Sequence, residues 1–284
     1  MSTLVYQAAA PPMVTAPKVG FRNYKNSAHQ ARVEKFYAEQ HAKQTFDSVR
    51  AMEKRHLQFN KVKMGAWEAI EYLDKVVDSS DPDTALTQIQ HALQSAEAAR
   101  KLYPDIDWLH LVGLIHDLGK LLAVTDPERN LVGDPQWAVV GDTFPVGCKF
   151  ETTNVLCESF AHNPDNAHPV YSTPLGVYKP NCGLDNVKMS WGHDEYLYQV
   201  LVHNGAMLPP PALAIIRYHS FYPWHTQNGY CHLTNAHDEE MKKWVLVFNQ
   251  CDLYSKADET CDVNALKPYY QALIKKYLPE VIQW

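Results

Sequence analysis

The segment 113–120, which reads Gly-Leu-Ile-His-Asp-Leu-Gly-Lys, constrains the fold of this chain more than any other. It places His116 and Asp117 side by side in an apolar run, and Lys120 follows one helical turn later. Burying an imidazole beside a carboxylate costs free energy unless something compensates. A metal ion is the usual compensation, because neutral histidine and ionised aspartate are both ligands. One such pair cannot fill a coordination sphere, so we expect further ligands elsewhere in the chain.

The composition is that of a globular protein, since 46% of the 284 residues are hydrophobic. A net charge of −6 without a basic stripe argues against nucleic acid as a partner. The apolar runs are far shorter than the roughly 20 residues of a membrane span. We therefore expect a cytoplasmic protein that binds no membrane. The six cysteines form no C-x-x-C pair and are expected to be reduced thiols in packed space.

Helical periodicity dominates the chain and predicts a mainly α fold. The stretch 126–189, rich in Pro, Gly and Asn, is predicted to be a long middle loop region with a short strand at 136–140. Loops of this length inside a compact domain are often functional. We expect a flexible N-terminal tail over 1–20, a single catalytic domain over 21–284 and at most a short β hairpin. Helices are expected over 28–59, 67–77, 89–103, 105–124, 190–202, 210–222, 239–254 and 263–277.

Four more positions on predicted helices have the features of buried ligands: His91, His193, His219 and Asp252. His219 and Asp252 each follow an apolar residue by four positions, so each extends a buried stripe. His193 stands near the start of a helix that Ser190 is expected to cap. Alone, each is more often a hydrogen-bonded core residue than a ligand. Together, on separate helices, they indicate a metal site built inside a helical core.

The remaining histidines lack such a setting and are interpreted as structural or surface residues. A further His-Asp pair, His237-Asp238, lies in a polar stretch and is expected to be a solvated helix start.

The order His91, His116-Asp117 and Asp252 resembles the HD-domain superfamily, a helical metal-binding fold whose members are mostly phosphohydrolases. The segments 111–120, 136–147, 189–196 and 218–225 are more specific and resemble the myo-inositol oxygenase family. This resemblance runs over about 21–284 and includes the Phe-Arg-Asn-Tyr sequence at 21–24.

The resemblance implies a di-iron centre and a set of substrate contacts. Asp117 would bridge the two irons, and both Asp117 and Lys120 would be catalytic. Asp252, together with His91 and His116, would complete the ligand set of one iron. The other iron would be held by His193 and His219. The implied substrate-binding residues are Arg22, Asp78, Ser80, Lys120, Gly141, Asp142, His219 and Ser220.

The implied reaction converts myo-inositol and O2 to D-glucuronate and water by ring opening between C1 and C6, the first step of inositol catabolism. The cofactor would be a mixed-valent Fe(II)/Fe(III) pair without nicotinamide or flavin, and the chain has no Gly-x-Gly-x-x-Gly fingerprint. Lys120 would stabilise the alkoxide of the substrate, and the segment around Arg22 would close over the site. We expect a monomer with a small-molecule substrate.

Two alternatives stay open on the residues alone. A metal-dependent phosphohydrolase would need basic residues to clamp phosphate, and helix spacing places only Lys120 near the expected ligands. A binding module with a structural metal would need closed coordination spheres. The chain also departs from the family pattern at Ser79 and Cys251, and within 124–133 by an insertion.

Overall fold

The computed structural model describes residues 10–12, 30–74, 87–129, 131–254 and 260–284. Over these ranges the chain is mainly α, as predicted from its periodicity. The α-helices are α1 (Gln30–Lys43), α2 (Phe46–His56), α3 (Ala66–Leu73), α4 (Gln88–Leu102), α5 (Asp107–Ile115), α6 (His193–His203), α7 (Pro210–Tyr218), α8 (Tyr222–His225), α9 (Ala236–Tyr254) and α10 (Val263–Tyr277). A 3-10 helix, Leu118–Ala123, follows α5.

The helices α4, α5, α6, α7 and α9 pack against one another and form the centre of the fold. Helix α5 is buried along its whole length from Trp108 to Ile115, because apolar residues cover every side of it. Helix α9 brings Val245 and Phe248 into this core with no exposed surface. The buried face of α9 therefore leads directly to Asp252, four residues beyond Phe248.

The long middle region is fixed to α1 by side chains that bind backbone groups. Gln40 Nε2 donates to Val140 O at 3.0 Å, and Gln44, the residue after α1, donates through Nε2 to Trp137 O at 3.3 Å. Buried amide side chains used in this way satisfy carbonyls that no regular structure would satisfy. The predicted loop region is thus confirmed, whereas the predicted strand at 136–140 is wrong. Gln136–Ala138 is a 3-10 helix.

The described residues form a two-stranded antiparallel sheet from distant parts of the chain. β1 (Lys63–Met64) pairs with β2 (Ile282–Gln283), with Met64 opposite Ile282. Trp284 has no exposed surface, and its Nε1 donates to Met64 O at 3.2 Å. Because most of the chain lies between the two strands, they join remote segments and do not form a hairpin.

The helix expected over 28–59 is two helices, which corrects the sequence prediction. Thr45 ends the first by capping the second, since its Oγ1 accepts from Ser48 N at 3.1 Å and Ser48 Oγ accepts from Thr45 N at 2.8 Å. This reciprocal capping box offers the backbone an alternative to a continuous helix. The apolar spacing on either side is helical, so periodicity alone cannot place the break.

The insertion within 124–133 packs on α3. Tyr72 Oη donates to Asp126 Oδ2 at 2.8 Å, and Arg129 lies 2.7 Å from Glu68. Asp126 and Leu131 exchange backbone hydrogen bonds at the base of the loop. The described residues of the insertion are therefore held on one helix.

Several smaller expectations have mixed outcomes. The six cysteines are free thiols, but Cys231 is exposed and only Cys148 and Cys251 are buried. Asp238 was expected to be solvated, but it is 4% exposed and accepts from the backbone N–H groups of Leu184 and Asn235. No helix within the described ranges has the length and apolar character needed to cross a membrane. Of the predicted tail over 1–20, only 10–12 lie within the described residues.

Candidate metal centre

One cluster of donor atoms is formed by side chains on α4, α5 and α9. His91 comes from the first turn of α4, His116 follows the last residue of α5, and Asp252 lies near the end of α9. Asp252 Oδ1 is 3.1 Å from His91 Nε2 and 3.6 Å from His116 Nε2. Two consecutive helices and a third that is distant in the chain therefore direct one donor each to a common point.

A second cluster is formed where α6 begins and α7 ends. His193 is the first residue of α6, and His219 follows the last residue of α7. Their Nε2 atoms lie 3.2 Å apart, and both side chains are buried. The prediction that Ser190 caps α6 is wrong. Its Oγ accepts from Phe144 N at 3.1 Å, and Gly192 takes the cap position.

Asp117 lies between the two clusters and faces each with a different oxygen. Its Oδ2 is 3.7 Å from His91 Nε2 and 3.6 Å from His116 Nε2. Its Oδ1 is 3.3 Å from His193 Nε2 and 3.8 Å from His219 Nε2. A carboxylate with this placement can bridge two cations. Within each of two sets of three residues, the donor atoms lie within 4.8 Å of one another. One set is His91, His116 and Asp117, and the other is Asp117, His193 and His219.

The histidine rings are oriented by their other nitrogen. Nδ1 of His116, His193 and His219 lies 2.9 Å from Gly113 O, 2.9 Å from Val139 O and 3.1 Å from Ile216 O, respectively. Since a carbonyl only accepts, each Nδ1 carries a proton, so that Nε2 is the nitrogen left to bind a metal. Metal-binding histidines are held in this way. The donor set therefore fits a pair of metal ions.

The charges of the two clusters differ. Burial disfavours the imidazolium and lowers the pKa of His116 to about 4. Burial acts in the same direction on His193, but the carboxylates of Asp194 and Asp117 outweigh it and raise its pKa to about 10. Burial opposes ionisation of Asp117, yet Lys120 and His116 hold its pKa well below the usual range.

Two glycines let the elements of the site approach closely. A Cβ on Gly113 would lie 2.6 Å from the Cα of Ala96, where α5 packs on α4. A Cβ on Gly119 would lie 2.0 Å from the carbonyl oxygen of His193. Real Cβ contacts are not this short, so only glycine permits α4 and α6 to come so near the His116-Asp117 pair.

The predicted substrate contacts fall into three groups. Lys120 is buried, with its Nζ 2.8 Å from Asp117 Oδ2, and Ser220 Oγ is 3.5 Å from His193 Nε2. Gly141 and Asp142 lie on a loop joined to Ser220 by the hydrogen bond from Thr143 N to Ser220 O, at 3.0 Å. Arg22, Asp78 and Ser80 lie outside the described residues.

Three further residues that hold the site were not predicted from the sequence. Asp194 is 1% exposed, and its Oδ1 is 2.8 Å from His193 Nε2. Gln88 Oε1 accepts from Lys120 Nζ at 3.4 Å, and Tyr37 Oη both donates to Asp142 Oδ1 and accepts from its N–H, at 3.2 Å each. Of these three residues, only Asp194 could have been predicted to be buried from its helix spacing.

The fold and these clusters define a class: helical proteins whose core presents histidine and aspartate donors for a pair of metal ions. The family model for myo-inositol oxygenase matches residues 30–284. The inositol oxygenase of Dictyostelium discoideum is 52% identical over 267 residues, which cover 93% of this chain and 89% of the relative. That of Homo sapiens is 50% identical over 283 residues, covering 99% and 97%. Inositol oxygenase 5 of Arabidopsis thaliana is 54% identical over 266 residues, covering 93% and 83%.

The chain therefore belongs to the myo-inositol oxygenase family. The predicted family and the predicted enzyme class are confirmed.

Proposed function

We propose that this protein converts myo-inositol and O2 to D-glucuronate and water by cleaving the C1–C6 bond, with two iron ions in the mixed-valent Fe(II)/Fe(III) form. Family membership supports the substrate and the reaction. The observation that carries the two-iron assignment is the placement of Asp117, whose two oxygens face separate pairs of histidines. His91, His116 and Asp252 would hold one iron, and His193 and His219 the other.

The iron pair, when bound, would supply Lewis acidity toward the substrate alcohol and electrons toward O2. Imidazole and carboxylate donors suit iron, and positions without a protein ligand suit oxygen chemistry. The His193–His219 cluster has no carboxylate of its own in the proposed ligand set. It would therefore leave the most room for the diol of the substrate.

Lys120 is proposed to stabilise the negative charge that develops on the substrate oxygen. Its ammonium lies beside Asp117 and is 6% exposed, so little water screens it. Gln88 accepts from the same ammonium and limits its movement. Neither contact removes the positive charge, which stays within reach of whatever binds at Asp117.

Recognition of a polyol requires fixed donors and acceptors, because each unpaired hydroxyl in a dry site costs free energy. Ser220 and Asp142 are proposed to be two such groups, and each is held by several hydrogen bonds. Gly141 and His219 are proposed to lie beside the substrate, and Arg22, Asp78 and Ser80 to complete its contacts. We further propose a monomeric cytoplasmic protein.

The phosphohydrolase alternative is not favoured. Arg217, two residues before His219, has its guanidinium 2.7 Å from Glu195 and 2.9 Å from Asp185. A guanidinium held by two carboxylates is a poor clamp for phosphate. Arg217 is therefore not available as the basic group that phosphoryl chemistry would use at the second cluster.

The test is oxygen uptake by the iron-loaded protein with myo-inositol, measured together with glucuronate formation and with phosphate release from nucleotides. We expect about one O2 consumed per glucuronate and no phosphate. Phosphate release without oxygen uptake would overturn the proposal. Electron paramagnetic resonance of the same sample, with and without inositol, should show a mixed-valent signal that the substrate alters.

Lys120→Ala separates the role of the lysine from metal binding. Because Lys120 is outside the ligand set, iron content should be kept while kcat falls about 100-fold or more. Lys242→Ala is the matched control: Lys242 is also buried, but its Nζ donates to Asn228, which is not among the proposed site residues. A Lys120→Ala protein with unchanged kcat would exclude the proposed role.

A further inference from the structure

Asp194 is a buried carboxylate whose contacts all lie at the second cluster. Its Oδ2 accepts from Ser220 N, and its Oδ1 accepts from Ser220 Oγ, both at 3.0 Å. The same Oδ1 is 2.8 Å from His193 Nε2 and 3.6 Å from His219 Nε2. The side chain is 1% exposed, so water does not share these contacts.

These contacts are not those of an ordinary helix cap. Asp194 lies in the first turn of α6, yet its carboxylate binds Ser220, the second residue beyond α7. Asp238 gives the contrast, since this carboxylate is also buried but accepts from Asn235 N and Leu184 N around the start of α9. Asp194 therefore links two elements of the site, whereas Asp238 completes a turn.

The hydrogen bonds at Ser220 fix the direction of its hydroxyl. A carboxylate only accepts, so the hydroxyl proton of Ser220 points to Asp194. The free lone pairs of Ser220 Oγ then face away from Asp194 and can accept from a ligand. Ser220 O in turn accepts from Thr143 N at 3.0 Å, which joins this residue to the loop of Asp142.

When His193 and His219 bind a cation through Nε2, their rings no longer share a proton with Asp194. The carboxylate then keeps its two donors from Ser220 and its negative charge beside the cation. An anion held at this place strengthens cation binding, because the site is dry and the charge is only weakly screened.

We propose that Asp194 is a positioning residue with two effects. It orients Ser220 so that the hydroxyl oxygen accepts a hydrogen bond from a hydroxyl of the substrate polyol. It also places a negative charge against the His193–His219 cluster and so strengthens metal binding in that half of the centre. This inference rests on the proposed function for its substrate, but its metal effect can be tested without turnover.

The first experiment titrates metal-free protein with Co(II) anaerobically, comparing wild type with Asp194→Asn. The isosteric variant keeps an acceptor for Ser220 N but loses the charge. We expect the half containing His193 to bind Co(II) about tenfold or more weakly, and the half containing His91 to be unchanged. Equal binding of both equivalents by the two proteins would overturn the metal effect, whatever the activity of the enzyme.

The second experiment measures kcat and KM for myo-inositol on iron-loaded protein. In Asp194→Asn the amide competes for the orientation of the Ser220 hydroxyl, so KM should rise about tenfold or more while kcat falls less. Ser220→Ala should raise KM similarly. The double variant should be no worse than the weaker-binding single variant, because both changes act through one contact.

Asp238→Asn is the control for burying an amide in place of a carboxylate. It should lower the melting temperature and leave KM and Co(II) binding as in wild type. Unchanged KM in both Asp194→Asn and Ser220→Ala would overturn the substrate effect. If Asp194→Asn fails to fold, Ser220→Ala decides alone, since it removes only the hydroxyl. Wild type that takes up no oxygen with inositol would instead contradict the proposed function and leave the Co(II) result valid.

Discussion

The two halves of the candidate centre are built from the same residue types but on different supports. The half with His91, His116 and Asp252 takes its donors from three helices, at the first turn of α4, just after α5 and near the end of α9. The half with His193 and His219 stands where one helix begins and another ends. The second half adjoins Ser220 and, through the hydrogen bond from Thr143 N to Ser220 O, the loop of Asp142. It therefore lies beside groups that we propose to contact the substrate.

The halves also differ in where their negative charge comes from. Asp252 supplies it in the first half and belongs to the proposed ligand set. In the second half it comes from Asp194, which is outside that set and also holds Ser220. With Asp117 counted in both, the first half has four proposed donors and the second has three. The second half therefore depends more on each remaining contact.

The strongest test of this comparison is Asp117→Ala, because Asp117 is the donor that both halves share. We expect both metals to be lost and turnover to fall more than about 1,000-fold. Iron analysis after gel filtration and oxygen uptake are the measurements. Retention of one full iron equivalent would show that the halves are independent and that Asp117 serves only one of them.

Removing one donor from each half should sharpen the difference between them. Asp252→Ala leaves three donors in the first half, and we expect Co(II) binding there to weaken about 10- to 100-fold. His219→Ala leaves two donors in the second half, so that half should bind no Co(II) at micromolar concentration. Titrations that count equivalents will distinguish the halves. An equal loss from both variants would contradict the unequal donor count.

The pKa values of His116 and His193 are shifted in opposite directions. We therefore expect the stability of the metal-free protein to fall at both low and high pH, with a different histidine responsible on each side. His193, raised from 6.5 to about 10, contributes stability that is present below pH 6.5 and is lost as pH rises toward 10. His116, lowered from 6.5 to about 4, contributes stability that is present above pH 6.5 and is lost as pH falls toward 4. Each slope is at most about 1.4 kcal/mol per pH unit.

Thermal melts from pH 4 to 10 check these two losses of stability. His193→Gln should remove the loss at high pH, and His116→Gln the loss at low pH. The same shifts predict that Co(II) binding in the second half tightens up to about tenfold per pH unit between pH 7 and 9, because His193 must release its proton. His116 is already neutral there and adds no such slope in the first half. Parallel slopes in both halves would contradict the charge difference between them.

Some of the candidate ligands could be predicted because they are polar residues that continue an apolar stripe of an expected helix. His116, His219 and Asp252 stand out in this way, and the structure brings all six predicted donors together. Their role as ligands remains a proposal. The mainly α fold followed from the same periodicity, since helix spacing is a property of each segment by itself.

Features that depend on remote contacts were not predictable. Ser190 could not be excluded as a cap without knowing that Phe144 takes its hydroxyl, and the pairing of β1 with β2 involves two residues on each side. Asp194 was within reach, because it precedes Leu197 by three and Leu201 by seven residues and so shares their buried stripe. The His-Asp pair at 193–194 was interpreted through its histidine alone.

Gly119 gives the centre a dependence that its donors do not reveal. The carbonyl of His193 occupies the place that a Cβ at Gly119 would take. Gly113 plays the same part toward α4. A protein of this design could therefore keep every donor atom and still lose its centre through one added methyl group. The minimal description of the site has eight residues, two of which contribute only the absence of a side chain.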